Sequence, residues 1–149
     1  MSRSIRFTFI DEGVSADAIL LEKEAPATCQ TVWENLPLEG DGLHAIYSGS
    51  EIAFFIPSSI AIEPENITSR TIPGDVGYYA LAPGALHGYP DGLTELCWFY
   101  DRDGRPNMPD GPVQINLFAR FVGDTDAFYA ICVRIRREGV KRVRVERVS

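Results

Sequence analysis

The sequence is poor in the side chains on which most metal and nucleophile chemistry depends. It holds two histidines, His44 and His87, and three cysteines, Cys29, Cys97 and Cys132, in 149 residues. The cysteines stand far apart and form no CxxC pair, which argues against a disulfide framework or a cysteine zinc site. Reduced thiols packed in a core are expected instead. A histidine-rich metal site is excluded by count. No GxSxG elbow, P-loop, GxGxxG or Ser-His-Asp order occurs. No apolar run approaches the length of a membrane span, and "MSRSIRFTFIDEG" turns acidic too early for a secretory h-region. The chain reads as a soluble cytoplasmic protein.

Positive charge is scarce too, except at one end. No lysine or arginine lies between Lys23 and Arg70. From Arg134 to Arg147, seven basic residues face Glu138 and Glu146, a net of +5 that leaves −12 for the rest of a chain whose total is −7. A basic segment can bind nucleic acid or phosphate. Without interleaved aromatics or a recognition motif, it reads better as solvated faces of a helix and a strand. These faces would complement the acidic body of a second copy, so a homo-oligomer is expected, and no nucleic-acid partner.

Gly and Pro punctuate short apolar runs throughout, which favours β structure. Ile5, Phe7 and Phe9 alternate with Arg6 and Thr8 as in a strand, and "AILLEKE" (residues 18–24) is read as a second. Pro26 suits the first turn of a helix, and Cys29, Val32, Trp33 and Leu36 then form one apolar stripe before Pro37. Glu22 and Glu24 precede the positive end of this helix. Further strands are expected at "LHAIY", "EIAFFIP", "VGYYALAP", "TELCWFY" and "VQINLFARFVG", with alternation in "SIAIE". A second helix is expected from about Asp124 to Glu138, with Asp124 or Thr125 capping it and Gly139 ending it. "KRVRVERV" closes the chain as a strand with Val143 and Val145 inward. The whole of residues 1–149 forms one domain of about eight strands and two helices, without repeats or linkers.

Strand, strand, a helix opening on "AP.T" (Ala25, Pro26, Thr28), many strands, a late helix and a final strand: this order resembles the cyclophilin fold. "AP.TC", "H..YSG", "PGD" and "NLFAR" together resemble a bacterial and archaeal family of cyclophilin-like proteins of unknown function. The resemblance implies a mainly β, closed eight-stranded barrel capped by two α-helices. Prolyl isomerases of this fold place an arginine, with a phenylalanine and a histidine, on the strand after the first helix. The nearest counterpart here, "EIAFFIPS", has aromatic residues but no arginine or histidine. Loss of that donor removes the main electrostatic contribution to catalysis, so isomerase activity is not expected.

His44 borders a Gly-rich turn and either bonds a loop backbone or binds a ligand. Its setting beside Tyr47 and Ser48 favours ligand binding. Tyr79 and Trp98 lie on two aromatic-rich strands and offer polar tips at a barrel mouth. Asn116 and Arg120 interrupt an apolar strand; the amide needs partners, and the guanidinium could grip a carboxylate or pair with Asp or Glu. His87, in the loop "PGALHGYPDG", reads as a surface residue, with catalysis the less favoured role. The spacing from Gly74 to Pro83 is too long for a cupin metal motif, and the partner motif is absent. A mixed metal site of His44, His87 and a carboxylate such as Glu51 or Glu95 is left open, but no metal or cofactor is expected. The resulting expectation is a small polar or anionic ligand bound at His44, Tyr47, Ser48, Tyr79, Trp98, Asn116 and Arg120. The alternatives are an enzyme using His44 or His87 as base, and a divergent prolyl isomerase.

Overall fold

A computed structural model describes residues 2–148. In chain order the elements are β1 (Ser4–Phe9), β2 (Val14–Leu20), α1 (Pro26–Asn35), β3 (Leu38–His44), β4 (Glu51–Phe55), β5 (Ile67–Thr68), β6 (Asp75–Leu81), β7 (Leu93–Phe99), β8 (Asn107–Met108), β9 (Gly111–Pro112), β10 (Ile115–Val122), α2 (Asp126–Glu138) and β11 (Lys141–Arg147). Antiparallel pairing runs β2-β1-β11-β3-β4-β7-β6-β10, and β10 pairs back onto β2, so eight strands close a barrel. The short β5 extends the free edge of β10 beyond the point where β2 leaves it. Closure removes the unpaired edges that an open sheet would expose.

Alternation decides what enters the barrel. Ile5, Phe7 and Phe9, then Ala16, Ala18 and Leu20, Ile52 and Phe54, Leu96 and Trp98, and Val143 and Val145 fill its interior. A bulge between Leu117 and Ala119 lets β10 bury Phe118, Ala119 and Phe121 while turning Arg120 outward. Helix α2 covers one opening with Phe128, Ile131, Cys132 and Ile135. Phe128 stacks 4.7 Å from Phe9 and 5.3 Å from Phe121, within an aromatic cluster around Trp98. Gly139, at φ 87°, ends α2 as its composition predicts.

Helix α1 begins and ends where Pro26 and Pro37 predict. Its amino terminus is not served by Glu22 or Glu24. Glu65 reaches back instead, accepting the Ala27 and Thr28 amides at 3.1 and 2.8 Å and the Thr28 hydroxyl at 2.8 Å. This carboxylate meets the positive end of the helix from 37 residues away, a pairing no local motif announces.

Two strand expectations are corrected. The second strand lies earlier, at Val14–Leu20, because its partners on β1 and β10 set its register. Leu38–His44 replaces "LHAIY", since Lys141–Val145 pairs with Leu38–Gly42 and draws this Gly-rich stretch into the sheet. The alternating "SIAIE" is irregular: Ile60 and Ile62 contribute apolar packing without ladder partners.

The basic segment pairs largely within its own chain. Lys141 bonds Glu12 and Glu138, Arg142 meets Asp41, Arg144 approaches Glu39, and Arg147 lies over Trp33. Arg136, Arg137 and Arg147 have no acidic partner among the described residues.

Phe128→Ala should destabilise the fold by about 3–5 kcal/mol through the cavity it leaves. Ile46→Ala, at a side chain 83% exposed, should stay within about 0.5 kcal/mol. Guanidinium denaturation midpoints of the two variants check the pair.

Candidate functional site

The barrel wall formed by β4 and β7 has two different faces. Ala53 pairs with Cys97, Phe55 with Glu95 and Glu51 with Phe99. Ile52, Phe54, Leu96 and Trp98 therefore point into the core, whereas Glu51, Ala53, Phe55, Glu95, Cys97 and Phe99 point outward. That outer face is not open to water. The loop from Ala45 to Ser50 and the β8–β9 hairpin lie over it, leaving a pocket of about 160 Å³. Its walls include His44, Tyr47, Ser48, Phe55, Tyr89 and Met108, and Glu51 and Glu95 form its floor.

The two covering segments are tied together. Ser48 Oγ donates to the Asn107 carbonyl at 3.1 Å and accepts the Asn107 amide at 3.0 Å. The Arg105 amide donates to the Ser48 carbonyl at 2.9 Å. Gly49 adopts φ 68°, and a Cβ there would collide with the Asp103 carbonyl, so this turn requires glycine on both counts.

The floor is electrostatically unusual. Glu51 is 4% exposed and Glu95 is partly buried between the cross-strand neighbours Phe55 and Tyr79. No lysine or arginine pairs with either carboxyl among the described residues. Burial pushes Glu51 up to about 7. Burial, and then the neighbouring Glu51, push Glu95 well above the usual carboxylate range. The Cys97 thiol is raised by burial and by both carboxyls. Glu51, Glu95 and Cys97 each present a ligand-type atom within 4.8 Å of the others.

His44 stands at the rim. Its Nδ1 can only donate to the Ala45 carbonyl, 2.8 Å away, so its Nε2 accepts the Tyr100 hydroxyl at 2.7 Å. Arg136 Nε lies 3.1 and 3.2 Å from the two ring nitrogens, an equal approach that sets the guanidinium against the ring face. Burial, with the Arg136 charge opposing protonation, lowers the His44 pKa. Both ring nitrogens of the neutral imidazole are engaged, which leaves it without a free lone pair for base catalysis.

The seven expected ligand contacts divide into separate regions. His44, Tyr47 and Ser48 meet at the pocket. Trp98 is 0% exposed inside the barrel, its indole N–H directed at Cys132 Sγ at 3.4 Å. Asn116 serves the α1 end, donating to the Glu63 carbonyl at 2.9 Å and to Thr28 Oγ1 at 3.2 Å. Tyr79 and Asn116 border a different cavity beside Ile62 and Pro112. Arg120 pairs with buried Asp75 at 3.0 Å. His87 is exposed and lines none of these cavities. The cluster of metal-type donors contains Cys97 and neither histidine. Glu51 and Glu95 were readable as buried by their place in otherwise apolar strands; their convergence depended on strand register.

Fold and wall together define a closed cyclophilin-like barrel whose pocket lies on the outside of the sheet. The chain belongs to the family described as "Protein of unknown function (DUF3830)", matched over residues 7–146. Among solved structures it is similar to McbB in complex with tryptophan, with 16% identity and a TM-score of 0.71 over 96% of this chain and 44% of that one. The chain thus spans less than half of McbB. A hypothetical protein from Archaeoglobus fulgidus is 22% identical with a TM-score of 0.61, covering 99% of this chain and 95% of its own. A cyclophilin-type peptidyl-prolyl cis-trans isomerase from Cryptosporidium parvum shares 9% identity and a TM-score of 0.58, covering 100% and 99%. These likenesses establish the fold. No curated protein matches the chain. Among the described residues, no helix is long and apolar enough to cross a membrane.

The raised Glu51 value has a definite sign. The unfolded carboxyl ionises near 4.5 and the folded one near 7, so stability is full below about 4.5 and is lost as pH rises through about 7. Glu51→Gln removes that loss. In chelator-treated buffer, its stability advantage over wild type should grow between pH 5 and 8 by up to about 3 kcal/mol. Denaturation at several pH values measures it, and a pH-independent difference would contradict the assignment.

Proposed function

We propose that this protein binds a small molecule in the outer-face pocket, through the carboxyls of Glu51 and Glu95. The observation that carries this reading is the buried acidic floor with no basic partner from the chain. Taking a carboxylate out of water is costly unless a charge or donor compensates it. Among the described residues the chain offers Glu51 only the neutral Ser48 hydroxyl and Cys97 thiol and gives neither carboxyl a cation, so the complementary charge comes from outside: a positive charge or convergent N–H and O–H donors. His44, Tyr47 and Ser48 at the rim then orient the ligand, and Phe55 and Met108 cover its apolar part.

This reading keeps the expected small polar ligand and changes its sign. The anionic preference rested on Arg120, whose guanidinium is engaged with Asp75. McbB, of which this chain covers 44%, was solved in complex with tryptophan, a small molecule that carries an ammonium group and an indole N–H. The enzyme alternative gains nothing from His44, whose nitrogens are engaged, or from exposed His87. The isomerase alternative requires a cationic donor on the sheet face, where this chain carries carboxyls.

A thermal-shift panel of small amines, amino acids and carboxylates tests the reading. A positive shift from amine-bearing members is expected, abolished in Glu51→Gln and Glu95→Gln and retained in Arg120→Ala. Shifts confined to carboxylates and dependent on Arg120 would overturn it.

A further inference from the structure

We infer that Glu51, Glu95 and Cys97 form a site for a divalent metal ion of the zinc class, with its open coordination position facing the pocket. The inference rests on the reading that this pocket is the functional site, and it names the positive complement that the floor lacks. The site itself stands on three observations.

The first is the donor set. Carboxylate oxygen and thiolate sulfur are both ligand types of zinc-class ions, and three protein ligands leave a fourth position for water or substrate. Their ligand atoms lie within 4.8 Å of one another. Tetrahedral zinc, with bonds of about 2.0–2.3 Å, needs donors about 3.5 Å apart. Rotation of two glutamate side chains supplies that contraction without moving a strand.

The second is a buried carboxyl without an adequate partner. Glu51 is 96% buried and lines the pocket. The proton donors facing it are the Ser48 hydroxyl and the Cys97 thiol. Ser48 already donates to the Asn107 carbonyl, and Cys97 is a member of the cluster. Among the described residues no lysine or arginine answers its charge, and the neutral donors Ser48 and Cys97 are its only hydrogen-bond partners.

The third is the placement of the sulfur. Cys97 lies between Ala53 on β4 and Gly77 on β6, buried beside Phe99, Ile115 and Tyr79, with its thiol in contact with the Glu51 carboxyl. The other two cysteines differ. Cys29 bonds the Phe118 carbonyl and Cys132 receives the Trp98 N–H, both inside the core cluster. Only Cys97 shares its face with two carboxyls.

The test uses the full chain, freed of metal with chelator and kept reduced. Titration with Co²⁺ should produce one equivalent of a near-ultraviolet thiolate-to-cobalt band, displaced by Zn²⁺. Zn²⁺ should also raise the melting temperature of the wild type. Cys97→Ser should lose the cobalt band and bind Zn²⁺ at least about tenfold more weakly, while keeping the shift given by small amines. Glu51→Gln, expected to fold at least as stably, should lose the band as well. A folded wild type without the band overturns the inference, and so does an unchanged band in Cys97→Ser. If metal binding fails while the Glu51-dependent amine shift persists, the metal inference falls and the pocket reading stands. If amines also give no shift, both fall.

Discussion

The register between β4 and β7 is the constraint from which the rest follows. With Ala53 opposite Cys97, one face of the pair delivers Ile52, Phe54, Leu96 and Trp98 to the core. The other face delivers Glu51 and Glu95 to the pocket, with Cys97 buried beside them. Side chains alternate with a period of two, so a slip of one residue would bury the carboxyls among Phe7, Phe121 and Phe128 and expose the tryptophan. The aromatic interior makes that exchange prohibitive. Packing on the inside therefore holds an acidic arrangement in place on the outside.

That arrangement costs stability in the isolated chain. Two carboxyls and a thiol sit together without a basic neighbour, while exposed ion pairs such as Arg6–Asp17 and Arg142–Asp41 are plentiful elsewhere. Exposed pairs contribute little individually; buried unpaired acids cost far more. Asp75, also buried, is matched by Arg120, whereas Glu51 and Glu95 have no cation among the described residues, so the electrostatic strain is concentrated at one place. Loops pinned by Ser48 and Asn107 keep that place enclosed, and the engaged His44 and Tyr100 stiffen its rim. Perturbed acids grouped in a cavity are what binding and catalytic sites commonly share.

Much of the architecture was legible. Alternation in "IRFTF" and "KRVRVERV", prolines bracketing the first helix and Gly139 after the second each correspond to local physical preferences. The eight-stranded closure followed from resemblance in element order. The site was legible only in part. His44, Tyr47 and Ser48 reach the pocket, and Glu51 and Glu95 had been singled out as carboxylates, though for a site with the histidines. Trp98 was assigned to the ligand by residue type, although strand alternation sets it opposite Glu95 and Cys97. Asn116 and Arg120 looked like ligand contacts because a polar residue in an apolar strand needs a partner. Those partners, Thr28, Glu63 and Asp75, come from distant segments that only the closed barrel brings together.

Outer-face carboxyls enclosed without a compensating charge have a direct spectroscopic signature. Infrared difference spectra of the metal-free protein, wild type against Glu51→Gln and Glu95→Gln, report carboxyl protonation. A protonated carboxylic band is predicted at pH 6, fading as pH rises above neutrality and diminished in each variant. Full ionisation of both groups down to pH 5, with only carboxylate bands, would contradict the account.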